Sequence, residues 1–452
     1  VVARRPLTTT ALAMGVGILL TVAPALPATA APPSTAPPAP TTHFSDGNYV
    51  VTLAQDPIAG YDGSVPGIPK LKSAGGQLDM TQSTTRRYRD LLLSAQTKVA
   101  DVVGAVPQQR YTVALNGFSA HLTGAQAKKL AGTTGVVSVA PDVTRHLADT
   151  TTGSQGQAQV SASAAAGAPV GTTADYLGLT GKNGVWNQLG GVAKAGRGIV
   201  VADLDTGLWP EHPSVAGSKL PAKAPANDPY GPYLSGSTIR MAKADGGTYT
   251  GVCQTGQDWT AANCSTKVVG ARTFDDGFLE AHALSPDEFD SARDSDGHGT
   301  HTGTTAVGKN GVPATIQGDS YGKVTGIAPA AALAVYKVCW TSDEGDNGCQ
   351  TSDLVAAIDQ AVADNVDVIN YSIGSDPSPD PTDPVELAFL SAASAGIFVS
   401  ASAGNSGPAA STVDHQSPWV TSVAAATSVL HEGTVVLGDG TKLVGARLQQ
   451  KP

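Results

Sequence analysis

The chain has 452 residues, of which 15% are charged, against a usual figure of about 25%, and Gly (52) and Pro (30) are plentiful. With 28 Lys and Arg against 38 Asp and Glu the net charge is −10, which excludes a basic footprint for nucleic acid; no collagen or coiled-coil period is present. The 41% of hydrophobic residues can build a core, and at roughly 150 residues per domain the length suggests about three units.

Arg4 and Arg5 precede an apolar stretch from Ala11 to Leu26 and the small-residue run Ala28-Thr29-Ala30. A basic start, an apolar middle and a small-residue cleavage site read as a signal peptide over residues 1–30. Pro24 interrupts the stretch, which is short for a membrane span of about 20 residues. No later segment is long and apolar enough for another span, so secretion is expected, with no stable membrane anchor. Residues 31–47 form a Pro/Ala-rich linker, expected to be disordered.

Tyr49–Leu53 reads as a strand. Tyr88, Leu91, Leu92, Ala95, Val99, Val102, Val103 and Val106 recur at helical spacing. Tyr111–Leu115 and Phe118–Leu122 flank Asn116-Gly117, a hairpin signal. Thr123 can cap a short helix through Leu130, and Val136–Val139 is a last strand. The order is β-α-β-β-α-β, a small α+β ferredoxin-like unit over residues 48–148.

Residues 149–173 are a Ser/Ala/Gly/Thr-rich linker. Beyond it, strands are expected at Ile199–Leu204, Ala332–Tyr336, Val366–Ile369 and Gly396–Ser400, with helices at Leu354–Asp364 and Pro384–Ala395. Such alternation implies an α/β fold with a largely parallel sheet flanked by helices, here over residues 174–452. A hairpin is expected from Thr434–Leu437 and Thr441–Val444. Residues 31–172 carry 10 basic and 8 acidic side chains and residues 173–452 carry 16 and 30, opposite signs that favour docking of the small unit on the large one.

The cysteines fall in two close pairs, Cys253/Cys264 and Cys339/Cys349. Local pairing is the simplest of their connectivities, and export permits disulfides. A zinc site would want tighter Cys-x2-4-Cys spacing.

Asp205-Thr206-Gly207 ends the apolar run from Gly198, where an α/β sheet places ligands and catalytic groups. Asp-Thr-Gly also occurs in aspartic proteases, but those need two such carboxylates and here a homodimer. In Asp296-Gly297-His298-Gly299-Thr300-His301, glycines flank an imidazole at a helix start, apt for a general base held by a carboxylate. His298 and His301 could also share a metal, but zinc needs a third ligand and usually a Glu base. Asp294-x-Asp296-Gly297 is a fragment of a calcium-loop pattern without its remaining ligands. Ser372-Ile373-Gly374 ends a strand apt to pair with an extended peptide. Asn405, between Gly404 and Ser406-Gly407, is a turn residue or an amide donor to an oxyanion.

Asp, His and then an oxyanion Asn, in that order, resembles the subtilisin-like serine proteases, or subtilases. Asp205 matches the family's Asp-Thr-Gly, His298 the first histidine of its His-Gly-Thr-His, and Asn405 the asparagine of its Ala-Gly-Asn. Ser372-Ile373-Gly374 resembles its substrate-pairing strand, and residues 48–148 its inhibitory propeptide. The Tyr336–Trp340 segment and the cysteine pairs resemble the branch that carries a protease-associated insert. The resemblance implies an exported endopeptidase zymogen with protein or peptide substrates and its own propeptide as intramolecular inhibitor; no cofactor and no metal-ligand set is read from the residues. The family's nucleophile lies in a downstream Gly-Thr-Ser-Met-Ala, which these 452 residues lack. A truncated chain, inactive by itself, is therefore expected. An inactive relative, or a binding protein acting through residues 48–148, is the alternative.

Overall fold

A computed structural model describes residues 43–71, 78–147, 173–316, 318–345, 347–374, 380, 382–407, 409–425, 432–438 and 442–446. The signal peptide, the first linker up to Thr42 and residues 149–172 of the second lie outside them.

The small unit comprises β1 (Gly47–Leu53), α1 (Ser83–Asp101), β2 (Arg110–Tyr111), β3 (Gly117–Leu122), α2 (Gly124–Ala131) and β4 (Val136–Pro141). Its sheet runs β2-β3-β1-β4, with every pairing antiparallel. Helix α1 buries Tyr88, Leu92, Gln96 and Ala100, one face at helical spacing. Helix α2 begins where the Thr123 side chain accepts from Gln126 N and the Gln126 side chain accepts from Thr123 N, a reciprocal cap.

Two expectations need correction. The helix ends at Asp101, not Val106: Ala105 N returns to Ala100 O and Gly104 turns left-handed at φ 67°. Val102 and Val106 are consequently exposed. The strand expected over Tyr111–Leu115 pairs only through Tyr111. The amides of Thr112, Val113, Ala114 and Leu115 leave the sheet and donate to the Asp359 carboxylate, at 3.3, 2.7, 2.7 and 3.3 Å. Gly117 is required by close approach, since a Cβ there would lie 2.3 Å from Val51 O.

The large unit follows β5 (Thr144–Arg145). Its elements are β6 (Val200–Asp205), β7 (Val268–Thr273), α3 (Asp276–Ala281), α4 (His298–Val307), β8 (Ala332–Lys337), β9 (Asn347–Gln350), α5 (Thr351–Asp364), β10 (Val368–Tyr371), α6 (Pro384–Ser394), β11 (Phe398–Ser402) and β12 (Thr421–Val423). The sheet order is β7-β8-β6-β10-β11-β12, parallel throughout. Every residue of β6 and β8 is buried, as for central strands covered on both faces. This is the expected α/β fold.

Strands β10 and β11 each start two residues later than expected. Val366 N still bonds Ala361 O past left-handed Asn365, and Ile397 N bonds Ala392 O past left-handed Gly396. Those residues finish the preceding helices before pairing begins. The last hairpin pairs β13 (Glu432–Val436) with β14 (Lys442–Ala446). Cys253–Cys264 and Cys339–Cys349 are bridged as paired locally in the sequence.

Candidate active site

Neighbouring parallel strands bring their C-terminal ends to one edge of the sheet. Asp205 closes β6, Ser372–Gly374 follow the adjacent β10, and Asn405 follows β11. Helix α4 is delivered to that edge by a loop folded around Asp294. This carboxylate accepts from Gly297 N (2.8 Å), Thr300 N (2.9 Å), the Thr300 hydroxyl and Thr206 Oγ1 (2.9 Å). Burial opposes its charge, but these donors hold it below the usual carboxylate range. The calcium-like fragment thus serves as a helix cap whose oxygens are taken by N–H and O–H donors.

Glycines permit the approach of the two motifs. A Cβ on Gly299 would stand 2.4 Å from Gly207 O, and Gly299 N donates to Thr206 Oγ1 at 2.8 Å. Asp-Thr-Gly and His-Gly-Thr-His therefore lock together backbone to backbone.

At that contact His298 Nδ1 lies 2.7 Å from Asp205 Oδ1, which also accepts from Thr206 N at 2.7 Å. Asp205 is 1% exposed and the His298 side chain 16%. The carboxylate can only accept, so Nδ1 carries the hydrogen and Nε2 presents a lone pair. Burial disfavours the imidazolium, but the Asp205 hydrogen bond and charge, with Asp296 behind, raise His298 above the ordinary histidine value. An imidazole so oriented can accept a proton and return it. His301, the partner in the rival metal reading, is exposed.

The segment that leaves the small unit lies along the same edge. Arg145 pairs with Cys349 and Leu147 with Ile373, both antiparallel, and Gly374 N donates to His146 O at 2.8 Å. Arg145 is anchored by Asp383 at 2.6 Å. From behind, buried His415 touches the Ile373 carbonyl at 2.9 Å through Nε2 and Glu386 at 2.6 Å through Nδ1. Gly374 and Gly404 face one Asp414 carboxylate, which Cβ atoms at those positions would meet at 2.9 and 2.3 Å. Asn405 is exposed beyond left-handed Gly404 (φ 76°). Sequence reasoning missed Asp203, Thr302 and Asn370, which lie beneath the dyad. The available signals were Asp203 two residues before Asp205 on a strand and Thr302 four after His298 on a helix.

Residues 196–439 match the Subtilase family of peptidases (S8), and residues 48–148 match Peptidase inhibitor I9. Subtilisin-like protease SBT2.6 of Arabidopsis thaliana is 33% identical over 421 residues, covering 88% of this chain and 45% of that protein. Subtilisin-like protease SBT1.4 of the same plant is 36% identical over 348 residues, covering 75% and 38%. The chain thus spans less than half the length of these relatives. Among solved structures, fervidolysin from Fervidobacterium pennivorans, a keratinolytic enzyme related to subtilisin, superposes with a TM-score of 0.42 at 17% identity. That superposition covers 90% of this chain and 46% of the other. The family matches and the two plant relatives place the chain in the subtilase family, with a peptidase inhibitor I9 unit preceding its protease unit.

Proposed function

We propose that the chain is part of an exported subtilase zymogen that hydrolyses peptide bonds in proteins. The observation that carries the reading is the 2.7 Å contact between His298 Nδ1 and Asp205 Oδ1, which leaves Nε2 free to serve a serine hydroxyl. In this reading His298 takes the proton as the serine attacks the peptide carbonyl and returns it to the leaving amine. Asp205 keeps the ring in the productive tautomer and stabilises the imidazolium. The Asn405 amide donates to the tetrahedral oxyanion, an effect worth about 3–4 kcal/mol. Ser372–Gly374 pair with the extended substrate. No step needs a metal or cofactor.

Residues 48–148 act as the propeptide inhibitor. The antiparallel contact of Leu147 with Ile373 supports this, because a substrate strand would need the same backbone groups. We place the nucleophile outside these 452 residues, which contain no Gly-Thr-Ser-Met-Ala. A fluorophosphonate probe should leave this chain unreacted. It should label a chain extended through such a segment one-to-one, and lose that labelling on His298→Ala. Stoichiometric labelling of the 452-residue chain, or labelling indifferent to His298, would refute the assignment.

Export rests on the residues 1–30 pattern. Protein recovered from culture medium should begin near Ala31; an intact residue 1 there would contradict cleavage. Among the described residues no helix is long and apolar enough to cross a membrane.

A further inference from the structure

Asp203 and Asp205 are two residues apart on β6 and so face the same side of the sheet. Asp203 is 3% exposed. Its Oδ1 accepts from Asn370 Nδ2 at 2.9 Å, across the β6–β10 register, and the same amide reaches Ser372 Oγ at 3.3 Å. Its Oδ2 lies 3.2 Å from Thr302 Oγ1 on α4 and would be 2.8 Å from a Cβ at Gly303. Thr302 Oγ1 in turn lies 3.3 Å from Asp205 Oδ2. A continuous polar path therefore runs from Ser372 through Asn370, Asp203 and Thr302 to Asp205 and His298.

Counting hydrogens along this path locates a proton. Thr302 has one hydroxyl hydrogen, yet its oxygen faces both carboxyl groups and the carbonyls of His298 and Gly299 at 3.2 and 3.1 Å. Were both carboxyls ionised, at least one would face only a hydroxyl lone pair at close range. Asp205 has two strong donors, Thr206 N and His298 Nδ1. On Asp203 the Asn370 amide donates to Oδ1 alone, so the extra proton belongs on Oδ2.

We propose that Asp203 is a positioning residue for the proposed catalytic dyad: it keeps its proton, donates it to Thr302 Oγ1, and so turns the Thr302 hydroxyl toward Asp205. The inference rests on the protease reading of Asp205 and His298. Burial raises the Asp203 carboxyl well above the usual carboxylate range, and the Asp205 charge raises it further. Asn370, Thr302 and His298 pull the other way without restoring it. Two other charged groups stand near the dyad: Asp296, whose Oδ1 accepts from His298 N at 3.1 Å, and Asp294, which accepts from Thr206 Oγ1 at 2.9 Å. A buried carboxyl held neutral so that it can donate is known chemistry in active sites.

The test needs no nucleophile and uses the whole 452-residue chain. Asp203→Asn reproduces the neutral acid, with its carbonyl toward Asn370 and its N–H toward Thr302. At neutral pH the wild type should show an infrared carboxylic-acid band that Asp203→Asn lacks. The His298 ring titration, followed by NMR on labelled histidine, should change by less than about 0.3 units in that variant. Asp203→Val, which cannot donate, should raise the His298 titration, because Asp205 loses the Thr302 hydrogen bond that disperses its charge. A missing acid band would overturn the proposal. So would a fall of about one unit or more in Asp203→Asn, the mark of a lost negative charge, or an unmoved His298 in folded Asp203→Val. The parent reading fails separately, if Asp205→Asn leaves the His298 titration where it was.

Discussion

His298 is half-buried, and its Nδ1 points at a carboxylate that is almost wholly inside the protein. Burial alone would favour neutral imidazole; the short contact with Asp205 reverses that sign, and the titration lies above its ordinary value. Because the folded value is raised, the stabilisation is fully present below the unfolded value of about 6.5 and disappears as pH rises through the folded one. Wild-type protein should therefore lose thermal stability as pH rises above about 6.5, relative to His298→Ala. Calorimetric midpoints of the two proteins across that window decide it. Parallel curves would mean that the imidazolium gains nothing from Asp205 on folding.

Within the elements, what could be read from the sequence depended on how local the cause was. Alternating apolar runs gave the strands of the parallel sheet because β6 and β8 are buried on both faces and tolerate little else. Asp-Thr-Gly and His-Gly-Thr-His stood out because the two backbones cannot approach this closely unless Gly299 lacks a side chain. The late starts of β10 and β11 were hidden because Asn365 and Gly396 look like loop residues, although they close helices. Shortening of β2 could not be foreseen at all. Its cause, Asp359, lies on α5, more than 240 residues away in sequence. Asp203 escaped notice for a related reason. A carboxylate in an apolar run suggests a strand end, and only Thr302 and Asn370, from two other elements, show that it belongs to the site.

At the scale of the whole molecule, the charge contrast between residues 31–172 and 173–452 suggests that screening should loosen the small unit. The contacts argue otherwise. The interface uses Asp359 on four backbone amides, Asp353 accepting from Gln109 at 2.7 Å, and the Arg145–Asp383 pair with Arg145 7% exposed. Covered contacts of this kind are little screened by salt, but they respond to protons. Burial pushes Asp353 up to about 7, against the donors of Gly277, Gln109 and Phe278. It pushes Asp359 up to about 6, against the four amides of the loop. Undocked, both carboxyls move toward the ordinary value of about 3.9, so docking takes up protons. The resulting stabilisation is full below about pH 4 and is lost as pH rises through about 6 and 7. Corrected for intrinsic exchange, amide protection at Val113 and Ala114 should therefore fall at least about tenfold between about pH 5 and pH 8, and barely change with salt. Asp359→Asn should weaken the pH dependence to the part that Asp353 contributes, because its own side chain no longer titrates. Asp359→Ala should lower protection about tenfold even in acid, since the four N–H groups lose their acceptor. Protection that rose with pH, or fell chiefly with salt, would mean that long-range attraction between the unlike charges, and not the carboxylates under the 112–115 loop, holds the inhibitor unit in place.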